Sequence, residues 1–152
     1  MIRPAVTHIA PAEWFLAFRR SSPVPWVQRL PGRFKHVACF GLVPGQGVWL
    51  FVEPTLTRCD LAAVPDRVAD RYMEHVTFDA VVVRYVPPPV PRRRWWWPGL
   101  FCTGAVAAVV GLRSGALRPD RLFRDCLADG GEVIAGADDL GPIPATEHAG
   151  GG

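Results

Sequence analysis

The chain has no C-x-x-C pair, no apolar run long enough to span a bilayer, no internal repeat and little net charge, and each absence narrows what it can be. Its four cysteines, Cys39, Cys59, Cys102 and Cys126, are widely and irregularly spaced. That excludes a zinc ribbon and a redox dithiol and leaves reduced thiols, at most one of them reactive, with no metal and no cofactor expected. The net charge is +3 and comes mostly from arginine, with Arg92-Arg93-Arg94 the one dense cluster, too little for specific nucleic-acid binding. Residues 95–112 are uncharged, but Pro98 and Gly99 break them and leave roughly a dozen continuous apolar residues, short of the about 20 a spanning helix needs. No transmembrane segment is expected. No apolar core of a signal peptide follows Met1, so synthesis and folding in the cytoplasm are expected.

What is present begins with a thiol in an unusual place. The stretch Trp95-Trp96-Trp97-Pro98-Gly99-Leu100-Phe101-Cys102 delivers Cys102 to the first turn of a helix whose body, Ala105-Val106-Ala107-Ala108-Val109-Val110, is small and apolar. Unsatisfied amide groups and the positive end of the helix dipole at that turn favour a thiolate, the nucleophilic form of cysteine. A cysteine among apolar residues is more often inert. The rest of the chain therefore has to supply what a reactive thiol requires.

At 152 residues the chain fits one domain with a proper core. Residues 11–20 predict a short helix, with a proline in its first turn and Glu13 near its start. Residues 34–42 and 48–53 are apolar, β-branched and aromatic runs around Pro44-Gly45-Gln46-Gly47 and predict a hairpin. A helix is expected from Pro65 to about His75 with Val64, Val68, Tyr72 and Met73 on its inward face, and a strand over residues 78–86 covered on both faces. After Pro87-Pro88-Pro89-Val90-Pro91 comes the Cys102 helix. A further helix over residues 119–128 turns Leu122, Phe123, Cys126 and Leu127 inward, and residues 132–134 add an edge strand. Residues 1–134 form the expected domain, and 135–152, small, polar and rich in glycine and proline, a flexible tail.

A nucleophilic thiol needs an imidazole to exchange protons with it and a polar group to orient the imidazole. His36, in the first strand of the hairpin, and Glu53, at the end of the second just before Pro54, stand on neighbouring antiparallel strands where a carboxylate can reach the ring. With Cys102 as nucleophile, His36 as general base and acid and Glu53 as orienter, the expected chemistry is hydrolysis of a peptide, amide or thioester through an acyl-enzyme. Trp95, Trp96 and Trp97 are expected to wall the substrate cleft or to face a partner protein.

The segments Gly32-Arg33-Phe34-Lys35-His36-Val37, Trp49-Leu50-Phe51-Val52-Glu53-Pro54, Leu100-Phe101-Cys102-Thr103-Gly104-Ala105-Val106 and Gly111-Leu112 through Pro119-Asp120-Arg121-Leu122 together resemble the circularly permuted papain-like, NlpC/P60-related cysteine hydrolases. More narrowly, they resemble the small members found in tailed phages and prophage-like elements of proteobacteria. The resemblance implies an α+β, permuted papain-like fold, a small antiparallel sheet carrying a late nucleophile helix, and the histidine-before-cysteine order seen here. It also implies action on peptidoglycan peptides from within a virion or gene-transfer particle, in contact with other phage-tail proteins. The chain departs from the family at Glu53, where aspartate is common, and at Gly104, where a polar residue often stands. A catalytically silent structural component of a phage-like tail is the alternative.

Overall fold

The computed structural model describes residues 10–89 and 101–140. Six strands, β1 (Trp14–Arg19), β2 (His36–Val43), β3 (Val48–Pro54), β4 (Cys59–Pro65), β5 (Ala80–Tyr85) and β6 (Glu132–Ala135), form one antiparallel sheet in the order β4-β3-β2-β1-β5-β6. Among the described residues the helices are α1 (Pro25–Gln28), α2 (Asp66–Thr77), α3 (Cys102–Val110) and α4 (Pro119–Ala128). None of them is long and apolar enough to cross a membrane.

The sheet separates two cores. On one side Leu16, Phe18, Val37, Cys39, Val81 and Val83 meet residues of α3 and α4, among them Val106, Val110, Leu122 and Cys126. On the other side Ala17, Ala38, Phe40, Phe51 and Val82 meet Ala69 and Val76 of α2. The architecture is thus a mixed α/β arrangement with helices on both faces of an antiparallel sheet. Each fully buried Val or Leu contributes about 1.5–3 kcal/mol, so packing of Val106 and Val110, both almost wholly shielded, holds α3, and a left-handed Gly111 closes its C-terminus. No side chain caps its start at Phe101.

Several expectations hold: the β2–β3 hairpin, the two-sided burial of β5, the start of α3 at Cys102, the inward face of α4 and the edge position of β6. Three do not. Residues 11–20 are no helix, because Trp14 to Arg19 form a strand inside the sheet. Covered on both faces, that strand is apolar at nearly every position, and its pattern loses the alternation that marks a half-exposed strand. Pro11, which reads as a helix start, instead covers β2 at Gly41, where a Cβ would lie 2.6 Å from the proline Cβ. Strand β4 is unforeseen. Helix α2 is present with its expected face met in part, for Met73 packs on the second core and Val64, placed in β4, is buried there, while Val68 and Tyr72 are exposed and Ala69 and Val76 take the inward positions. The body also extends past residue 134, since Ala135 pairs with Val82, a 3-10 turn spans Ala137–Asp139 and Leu140 packs on the first core. The remainder of the expected tail lies outside the described residues.

The approach to β2 is fixed by one carboxylate. Asp120, in the first turn of α4, accepts hydrogen bonds from the backbone N–H of Arg33 (2.9 Å) and Phe34 (3.3 Å). Gly32 makes this possible with φ +116°, and a Cβ there would overlap the Asp120 carboxylate. Gly32→Ala should therefore lower the unfolding free energy in urea by about 1–3 kcal/mol. An unchanged urea midpoint would show that Asp120 does not anchor this loop.

Candidate active site

Three strand ends and one helix start converge at the same edge of the molecule. β1 finishes at Arg19, β2 begins at His36 and β3 finishes at Glu53-Pro54, with Arg19 directly opposite His36 in the register. Strand alternation gives Arg19, His36 and Glu53 the parity of Ala17, Ala38 and Phe51, whose side chains belong to the α2 core. Cys102 heads α3, which packs on the opposite face. The thiol and the imidazole therefore meet across the end of the sheet rather than over one face of it, and both border one cavity of about 350 Å³.

Within this group His36 Nε2 lies 3.7 Å from Glu53 Oε1, an ion-pair separation. Burial of the ring opposes its charged form, but polar and charge interactions with Cys102 and Glu53 outweigh burial and raise its pKa to about 9. The imidazole is thus mostly protonated at neutral pH. Glu53 sits below the usual carboxylate range, first because of its interaction with His36 and against the effect of partial burial, with further help from the positive charge of Arg19 and His75. The other thiols are differently placed: burial pushes Cys39 up, Cys126 up to about 12, and the exposed Cys59 up more modestly, in each case with help from a neighbouring group that repels the thiolate.

Arg19, read from the sequence as the end of a helix, is the site residue that the sequence reading missed. Its Nη1 donates to Glu53 Oε1 at 2.9 Å, its Nε donates to the Val76 carbonyl at 3.2 Å, and its Nη2 donates to the His75 carbonyl. The guanidinium thus locks the carboxylate that faces the imidazole, a charge-assisted geometry that fixes orientation as well as charge. The signal was available: a strand over residues 14–18 places Arg19 at the end that also carries His36. The short helix α1 was likewise unforeseen, and Trp26 and Val27 from it line the cavity.

The structure thus brings Cys102, His36 and Glu53 together. Trp95, Trp96 and Trp97, expected to wall the cleft, lie outside the described residues. No group of three or more histidine, cysteine or acidic side chains among the described residues is arranged to hold a metal ion. Chemically, the arrangement offers a nucleophile, an acid–base group and an orienting carboxylate beside an open apolar cavity. No family model, curated protein or solved structure matches the chain.

Proposed function

We propose that the protein is a thiol hydrolase of permuted papain-like type, with Cys102 as nucleophile, His36 as proton carrier and Glu53 as orienter. The observation that carries this reading is the meeting of a helix-start thiol, an imidazole and an arginine-locked carboxylate at one cavity. The thiolate attacks the carbonyl of a peptide, amide or thioester, and the protonated imidazole gives its proton to the leaving group. The neutral imidazole then takes a proton from water as that water attacks the acyl-enzyme. This returns the acid product and the starting thiolate–imidazolium pair. The family resemblance supports a phage-like particle, among tail proteins, as the setting, and the lining of the cavity beside Cys102 bears on the acyl group of the substrate.

Labelling tests the nucleophile. At neutral pH iodoacetamide should modify Cys102 far faster than Cys39, Cys59 or Cys126, and His36→Ala should slow that labelling by removing the cation beside the sulfur. Peptide mapping after a short exposure reads the order. Equal labelling of Cys102 and the exposed Cys59 would leave the protein as a structural component that keeps the arrangement without the chemistry.

A further inference from the structure

The cavity beside Cys102 is lined chiefly by apolar side chains, among them Trp26, Leu30, Phe34, Leu56, Phe101 and Leu117. Five of these six are large hydrophobic residues left substantially open to solvent, from 46% for Leu30 to 71% for Leu117. They come from four separate parts of the chain: α1 and the loop after it, the β3–β4 turn, the residue before α3 and the segment before α4. A cluster of exposed apolar groups around a reactive atom marks a surface built to be covered by a ligand. Scattered exposed hydrophobics would need no such reading.

Charge narrows the ligand further. Among the described residues that line the cavity, Glu53 is the one carboxylate, and both Arg19 and His36 engage it. Nothing there is left to receive the ammonium group of a zwitterionic peptide. Lys35, also on the wall, donates to the Leu30 and Gly32 carbonyls and so braces the loop, and the exposed Arg118 is a further cation on the wall. At about 350 Å³ the space lies near the lower end of small-molecule cavities, a size that a medium-length hydrocarbon chain fills.

Resting on the thiol-hydrolase reading, we infer that the acyl group transferred to Cys102 is a medium-length aliphatic chain, seated among Trp26, Leu30, Leu56 and Leu117 with its carbonyl at the sulfur. The substrate class is then a fatty acyl thioester or ester. The thiolate forms a bond to the acyl carbon as the bond to the leaving oxygen or sulfur breaks, and that leaving group takes the proton held by His36. Water attacks next, giving one proton back to His36 while the carbon–sulfur bond breaks, and the fatty acid leaves.

The test is a series of p-nitrophenyl esters of straight-chain acids from acetate to octanoate, with release of nitrophenol and acylation of Cys102 by mass spectrometry as readouts. Because each methylene moved from water into an apolar site gains about fourfold in binding, kcat/KM should rise by about that factor per methylene until the cavity is full. Leu117→Glu and Trp26→Ser change exposed positions, so the fold should survive, which an unchanged thermal unfolding midpoint verifies. Both should flatten the dependence on chain length. Cys102 acylated equally well by acetate and octanoate would overturn the acyl-chain site while leaving the hydrolase standing. So would a chain-length dependence that both variants leave intact. No acylation of Cys102 by any ester would remove the hydrolase reading itself.

Discussion

Cys102→Ala should reduce ester hydrolysis to the background rate, and His36→Ala should lower kcat/KM by about 10²–10⁴-fold, the range that a positioned proton carrier supplies. Sulfur and imidazole act as one unit here, so the double variant should be no worse than Cys102→Ala alone. Glu53→Gln should fall between wild type and His36→Ala. An amide can still accept from the ring and from the Arg19 guanidinium that now holds the carboxylate at 2.9 Å, but it no longer stabilises an imidazolium. Single-turnover measurements that separate acylation from deacylation check the assignment, since losing His36 should slow both steps. A His36→Ala enzyme with near wild-type deacylation would mean that another group activates the water.

The second large effect is on stability. His36 has an ordinary pKa of 6.5 and about 9 in the folded protein, so the folded state holds the proton more tightly than the unfolded chain. The stabilisation is fully present below pH 6.5 and is lost as pH rises through about 9, a change on the order of 3 kcal/mol for a shift of that size. Glu53 works in the opposite sense. Its pKa is lowered from 4.5, so its contribution is present above that value and fades as pH falls through the folded-state value. Both contributions are in place together between about pH 4.5 and 6.5. Urea unfolding across the alkaline range should show wild type falling towards the stability of His36→Gln as pH approaches 9. A gap between the two proteins that stays constant would mean that the imidazole carries no extra charge in the folded site.

That Cys102, His36 and Glu53 come together was legible from sequence because each carries a local mark. Cys102 follows a broken aromatic loop and opens an apolar helix, His36 opens a strand, and Glu53 ends one before a proline. What escaped detection depends on neighbours. The Trp14–Arg19 strand is apolar on both faces because helices cover both faces of the sheet, a fact about packing that no short window contains. Strand β4 combines Asp60, Ala62 and Ala63, poor strand formers, and owes its conformation to pairing with β3. Part of the face of α2 was misjudged because the sheet accepts the small Ala69, while the larger Tyr72 lies over the Phe51 ring at the margin, with centroids 5.5 Å apart. The permuted papain-like assignment likewise rests on the resemblance rather than on the sheet, whose antiparallel order fits more than one fold family.

Arg19 gives the protein an unusual genetic profile. The same guanidinium that holds Glu53 also grips the last carbonyls of α2, a helix on the side of the sheet remote from α3. A substitution that slides α2 along the sheet, even by a fraction of a turn, moves the arginine and with it the carboxylate. The α2 layer is therefore bound to drift in step with the layer that carries Cys102. Compensating changes should arise in pairs, one on α2 and one beside His36, rather than scattered through the core.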